Sequence, residues 1–341
     1  MKSSRNNKIG ILSLICLIIV LGILVIRDTS EPVKETGFYL DTICTIEIDN
    51  MDKKEGEATI KETFEKCKEL ENLLSKSIKS SDIYKINHSN GKPTVVSKDT
   101  VKVLKYAMEV SKKTNGLFDF TMGRLTDLWN FTGKNPKVPS KKDIDNALKN
   151  IGYKHVSISD NKVIVANPNI QIDLGGIAKG YIARELAVFL KNKGVTSGIV
   201  NLGGDLIAIG SVEKTGYPWS IGIEKPFSHR EKIVGKVYIE NQTLLTSGTY
   251  ERCFKENGKM YHHILNPKTG YPVDTDILSF TIKSNIENAV YCDGYATACI
   301  LLGSKKAEKF INSKKNYQFA MIKNNNQIIQ SKDFNMSLIN K

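Results

Sequence analysis

The stretch IQIDLGGIAKGYIARELAVFLKNKGVTSGIVNLGGDLIAIG, residues 170–210, constrains this chain more than any other. Its first residues alternate as a strand ending at Asp173, and two glycines then turn the chain. A helix runs to about Lys193, with Ile182, Leu186, Phe189 and Leu190 as its buried face. Gly194 stops it, and a second glycine pair followed by an acid, NLGGDL at 201–206, marks a further turn. A strand, a helix and another apolar run in such quick succession require a sheet to pack on, which suits an α+β (mixed α/β) fold.

The rest of the chain agrees with that class. Residues 27–36 read as a short polar linker, and FYLDTICTIEI (38–48) alternates as one strand. A helix follows with Ile60, Phe64, Cys67, Leu70 and Leu74 on one face. A second helix covers about 98–113 and ends before Gly116. A third starts at Ser140, with Asp143 three residues on in a capping-box-like pattern. The segment KHVSISDNKVIVANPNIQIDL reads as strands broken by Asp-Asn and Asn-Pro turns. There are no repeats and no low-complexity tracts.

The N-terminus belongs to another environment. Lys2, Arg5 and Lys8 precede 18 uncharged, mostly apolar residues, Ile9 to Ile26. At about 1.5 Å per residue this just crosses a hydrocarbon core roughly 30 Å thick. Arg27 and Asp28 follow instead of a small-x-small cleavage site, which favours an uncleaved anchor. Leu14 and Ile15 stand where a lipoprotein signal at Cys16 would need small residues. Positive charge stays cytoplasmic, so residues 37–335 are expected as one domain outside the cell membrane.

The 341 residues are 40% hydrophobic and 25% charged, which are globular values. The net charge of +13 is spread as single lysines and short pairs, with little arginine and no interleaved aromatics. That is a solvated surface, and nucleic acid is not an expected partner. The six cysteines, 16, 44, 67, 253, 292 and 299, form no CxxC, which argues against a thiolate metal site or a redox pair. Cys44, Cys67, Cys292 and Cys299 lie among apolar neighbours, as small core residues do.

Three stretches carry chemistry. Glycines before a helix N-terminus let backbone N–H groups approach a phosphate, and Lys179 adds a charge. The pattern is neither GxxxxGK[ST] nor GxGxxG, so the first glycine turn taken by itself is as readily structural. In HHILNPKTGYP (262–272) two histidines enter a turn; one is expected to be packed or hydrogen-bonded and the other to face a cleft, poised as a general base. In YCDGYATACILLG (291–303), Ala296, Ile300 and Leu301 recur at helical spacing, while Asp293 and Thr297 are four apart on one face, about 5–6 Å apart at Cβ. A carboxylate and a hydroxyl are hard oxygen donors that suit Mg²⁺, although a helix cap or a buried hydrogen bond explains such a pair equally well.

Taken together, DLGGIAKGY, NLGGD, SGTYER, YHHILNPKTGYP and DGYATA stand in the order of the ApbE family, the FAD:protein FMN transferases, and the chain resembles that family over about residues 37–330. FYLDT (38–42), SDIYKIN (81–87) and GLFDFTMGRLTDLWNF (116–131) resemble its N-terminal half. The resemblance implies a sheet-based core with flanking helices and a cleft between two subdomains. It also implies an enzyme that takes FAD, releases AMP and joins FMN to a Thr or Ser hydroxyl of an acceptor protein. Such an acceptor would be a subunit of a membrane electron-transfer complex or another flavinylated protein.

Carried over position by position, the resemblance implies that Leu40, Ser77, Leu117, Phe118, Asp119, Asp173, Lys179 and Ile264, or Leu265 beside it, line the FAD site. It implies Mg²⁺ on the Gly176 carbonyl, the Asp293 carboxylate and the Thr297 hydroxyl, with His263 as base. Many members have Met-Gly-Thr where this chain has Leu40-Asp41-Thr42, a ring-stacking Tyr at Ser77, and Asp at Asn266. Two other readings use the same residues. In one, water replaces the acceptor and the protein is a Mg²⁺-dependent FAD pyrophosphatase; in the other, it binds flavin without turnover.

Overall fold

The computed structural model describes residues 31–228 and 232–339. The expected anchor at 9–26 and Cys16 lie outside the described residues, and no helix within them is long and apolar enough to cross a membrane. In chain order the strands are β1 (Val33–Tyr39), β2 (Thr42–Ile48), β3 (Thr94–Val95), β4 (Val156–Ser159), β5 (Lys162–Val165), β6 (Gly198–Leu202), β7 (Asp205–Ile209) and β8 (Trp219–Glu224). They continue as β9 (Ile233–Ile239), β10 (Gln242–Gly248), β11 (Cys253–Glu256), β12 (Lys259–His262), β13 (Ile277–Asn285), β14 (Gln318–Lys323), β15 (Ile328–Gln330) and β16 (Ser337–Leu338).

Eight of these form one sheet in the order β1-β2-β6-β7-β10-β13-β14-β15, antiparallel throughout. Helices Lys53–Leu74, Ala178–Asn192 and Ala289–Leu302 cover one face. The apolar layer between them includes Ile46, Ile60, Leu70, Ile182, Leu186, Ile282 and Ala296, all fully buried. A three-stranded sheet, β16-β9-β8, covers the other face over β7, β10 and β14. There Trp219, Ile223 and Val237 meet Leu206, Ala208 and Ile322. That cover does not reach the β1–β2 hairpin. Its cross-strand pair Phe38 and Ile43 is 71% and 54% exposed, and farther along the same face, beyond Thr36 and Thr45, Lys34 and Glu47 form an ion pair at 3.2 Å.

Most helix boundaries fall where the caps put them. Ser97 and Ser140 accept hydrogen bonds from Thr100 N and Asp143 N, starting the helices Lys98–Lys113 and Lys141–Leu148. Four expectations need correction. The single strand at 38–48 is a hairpin, because Leu40 and Asp41 both adopt left-handed backbone, at φ 55° and 56°. Its first strand begins at Val33, inside the stretch read as a linker. Residues 170–173 do not join a sheet. The Asn87 side chain takes the role of a neighbouring strand, accepting from Ile172 N at 2.7 Å and donating to Ile172 O at 2.9 Å. On the Ala178–Asn192 helix, Ile182, Leu186 and Leu190 are buried as expected, but Phe189 is half-buried and Tyr181, Ala183 and Ala187 complete the face.

Candidate active site

The site forms where the first turn of the Ala178–Asn192 helix crosses the Ala289–Leu302 helix. Gly180 permits the crossing, since a Cβ there would stand 2.6 Å from Ala289 O and 2.9 Å from Asp293 Cβ. At that contact Gly180 N donates to Asp293 Oδ2 at 2.9 Å. Asp293, 5% exposed, thus lies against the glycine turn that opens the neighbouring helix. One turn on, Thr297 Oγ1 is 3.2 Å from Ser247 Oγ, and a Cβ on Gly176 would approach that same hydroxyl oxygen at 3.8 Å. Gly176 thus approaches Thr297, which stands one helical turn from Asp293.

Lys179 and Asp205 complete the cluster. The β6–β7 turn, Gly203-Gly204, has φ of 70° and 108°, and it delivers Asp205 to an ion pair with Lys179. Burial opposes the Lys179 charge, but Asp205 and Asp293 outweigh it and hold its pKa above the ordinary lysine value. Burial, and then the Asp205 charge, push the Asp293 carboxyl up to about 7, against the pull of Lys179 and the Gly180 N–H. Two carboxylates thus share one ammonium, whose side chain is 28% exposed. Asp205 is the residue that reading the sequence missed as a site residue. The acid after NLGG was visible there, but nothing linear ties it to Lys179 or Asp293.

The remaining candidates divide. The Phe118 ring packs on Gly176, 3.1 Å from where a Cβ would stand. Asp173 accepts from Gly175 N at 2.9 Å, Thr126 Oγ1 at 2.6 Å and Lys76 Nζ at 2.8 Å. Burial raises its pKa, but Lys76 and these donors prevail and keep it ionised below the usual carboxylate range. Lys76, a second residue the sequence reading passed over, also bonds Asp127 at 2.5 Å. Its neighbour Ser77 is exposed. Leu40 is half-buried, with its N–H on Glu71 at 2.8 Å, and Thr42 beside it touches the Gly203 turn. Leu117 is half-buried and Ile264 is buried. The Asp119 carboxylate is occupied locally, accepting from Thr121 N at 2.9 Å and Tyr153 N at 3.0 Å. These bonds fasten the 116–121 loop.

The two histidines differ in their surroundings. His262, at the end of β12, is fixed by Val273 O at 3.1 Å and by Ile264 N at 3.3 Å. His263 lies just past the strand, held by its N–H to Arg252 O at 3.0 Å, while its buried Nδ1 has no hydrogen bond. Burial, then the Arg252 charge, lowers its pKa to about 3, with His262 and Lys179 adding to the effect. Arg252 and Cys253, where β11 begins, line a cavity of about 480 Å³ with Asp41, Phe131, Thr132 and Glu251.

Known proteins share this arrangement of elements. The model of the ApbE family matches residues 40–322. A FAD:protein FMN transferase of Klebsiella pneumoniae is 31% identical over 278 residues, covering 81% of this chain and 85% of the relative. Another, of Treponema pallidum, is 28% identical over 316 residues, covering 88% and 86%. Among solved structures, the ApbE protein of Thermotoga maritima superimposes with a TM-score of 0.81 at 31% identity, covering 89% of this chain and 98% of its own. The flavin transferase ApbE of Vibrio cholerae gives 0.79 at 26%, covering 90% and 99%. With its glycine turns, paired carboxylates and histidine at one end of a large antiparallel sheet, the chain belongs to the ApbE family.

Proposed function

We propose that this protein transfers FMN from FAD to a serine or threonine hydroxyl of an acceptor protein, releasing AMP, with Mg²⁺ held at Asp293. The observation that carries the reading is the buried Asp293–Lys179–Asp205 cluster beside His263, in a chain of the family whose relatives bear the name FAD:protein FMN transferase.

The donor set fits the metal. The Asp293 carboxylate, the Thr297 hydroxyl and the Gly176 carbonyl are all hard oxygens, and the repulsion of Asp293 by Asp205 is what a divalent cation relieves. Bound there, Mg²⁺ would neutralise charge developing on the phosphate oxygens. Lys179 and the amides opening its helix bind the pyrophosphate, while Phe118, Leu117, Ile264 and Leu40 surround the flavin half. His263 is unprotonated at neutral pH, so it can accept the acceptor hydroxyl's proton. Anionic phosphate near Lys179 offsets its charge and makes the imidazole more basic. The apolar run 9–26 supports anchoring in the cell membrane, with the catalytic domain facing an extracytoplasmic acceptor such as a subunit of an electron-transfer complex.

The test incubates the protein with FAD and Mg²⁺, with and without an acceptor carrying a Ser/Thr flavinylation site, and reads intact mass and AMP. A Mg²⁺-dependent mass gain of one FMN residue on the acceptor is expected. AMP and free FMN at equal rates in both samples, with an unmodified acceptor, would make the enzyme a pyrophosphatase. Asp293→Ala should abolish turnover and leave a folded, flavin-binding protein; undiminished Mg²⁺-dependent activity would refute the metal assignment.

A further inference from the structure

The stretch SGTYER, residues 247–252, runs off β10 into β11, and the roles above use none of its last residue. Arg252 is exposed and lines the 480 Å³ cavity. Among the described residues its guanidinium has no ion pair and no hydrogen bond, whereas Lys76 and Lys179 are matched by Asp173 and Asp205. Its charge nevertheless bears on both His263 and Lys179. The β11–β12 register sets Cys253 opposite His262, and the bond from His263 N to Arg252 O ties the next pair together. An unpartnered guanidinium on a cavity wall, carried by the residue whose carbonyl holds the His263 N–H, is an arrangement that an anion completes.

Resting on the transferase reading, we propose that Arg252 grips the non-bridging oxygens of the FMN phosphoryl group during its transfer, on the side from which the acceptor hydroxyl arrives. The side follows from the geometry of phosphoryl transfer, in which attacking and leaving oxygens lie in line across phosphorus. The acceptor oxygen bonds to the FMN phosphorus and its proton passes to His263. The bridging P–O bond breaks and its electron pair leaves with AMP. His263 therefore marks the entry side, and Arg252, fixed to it by the main chain, lies opposite the departing AMP. The orphaned Nδ1 of His263 in the same corner is the second sign that a polar ligand belongs there.

The test measures binding of FMN, riboflavin and AMP to the full-length protein, by flavin fluorescence and calorimetry, in wild type, Arg252→Met and Arg252→Lys. Arg252→Met should weaken FMN about 10- to 100-fold, the scale of a charge-assisted hydrogen bond, and leave riboflavin and AMP within about twofold. Arg252→Lys should recover part of the loss, as a point charge without the fork does. Unchanged FMN affinity overturns the proposal. Weakened AMP with unchanged FMN overturns it too, placing Arg252 on the leaving side. Equal losses for riboflavin and FMN mean that Arg252 acts only through structure. A wild type that binds FMN but never modifies an acceptor would sink the transferase reading instead.

Discussion

The clusters around Trp129 and around Asp293 are built on opposite principles. Around Trp129, fully buried, the rings of Phe131, Phe254, Tyr261 and Tyr271 stand with centroids 5.4 to 6.3 Å from its own. The indole N–H is satisfied by Gly270 O at 2.8 Å. Around Asp293, by contrast, two carboxylates share one partly buried ammonium, and burial and the Asp205 charge favour the protonated Asp293 carboxyl. The first cluster gains stability from its contacts; the second costs stability, as a buried carboxyl beside a second carboxylate does. The difference shows where the fold is held and where it is poised to act.

Breaking the aromatic cluster should have the largest effect. Trp129→Ala removes a fully buried side chain and should cost about 3–5 kcal/mol of unfolding free energy, read by denaturant titration. A loss under about 1 kcal/mol would show that the cluster does not anchor this end of the molecule. In the candidate site, His263→Ala should slow FMN transfer about 100-fold or more, with FAD affinity within a few-fold. Equal losses in rate and affinity would assign His263 to binding.

Gly180→Ala tests the junction of the two helices. Its Cβ has no room against Ala289 O and Asp293 Cβ, so the helices must separate, at about 1–3 kcal/mol. Mg²⁺ affinity should fall with it, since Asp293 moves; calorimetry showing unchanged affinity would uncouple the crossing from the metal site. The smallest effect is a change of slope with pH. The folded Asp293 carboxyl keeps its proton above the ordinary carboxylate range, up to about 7, so its contribution is present at low pH and lost as pH rises to that value. His263 runs the other way: with its pKa lowered to about 3, its contribution is lost as pH falls below the ordinary imidazole value. Asp293→Asn should remove the first trend alone. Without metal, the variant's Tm should then fall less than wild type's as pH rises towards 7, and parallel curves would contradict the burial of that charge.

The sequence revealed local devices better than meetings between distant residues. Helix 98–113 was legible because Ser97 and the residues after Lys113 state its ends, and the Asp293/Thr297 face because four residues make one turn. The hairpin at 40–41 was not, because Leu-Asp carries none of the Asn-Gly signal that left-handed turns favour. Alternation at 170–173 mimicked a strand because an asparagine side chain can imitate a strand's hydrogen bonds. Asp205 and Lys76 stayed hidden because their partners are far along the chain and meet them only once the sheet has formed.

The bare face of the β1–β2 hairpin has a consequence for how the molecule behaves among copies of itself. β1 is an outermost strand, with one row of main-chain groups unpaired within the sheet and Phe38 and Ile43 uncovered beside it. Such an edge is a template for strand addition between molecules, and the exposed Lys34 and Glu35 along it act as gatekeepers. In concentrated solution, the colloidal stability of this protein therefore depends on a few charges at the start of its first strand.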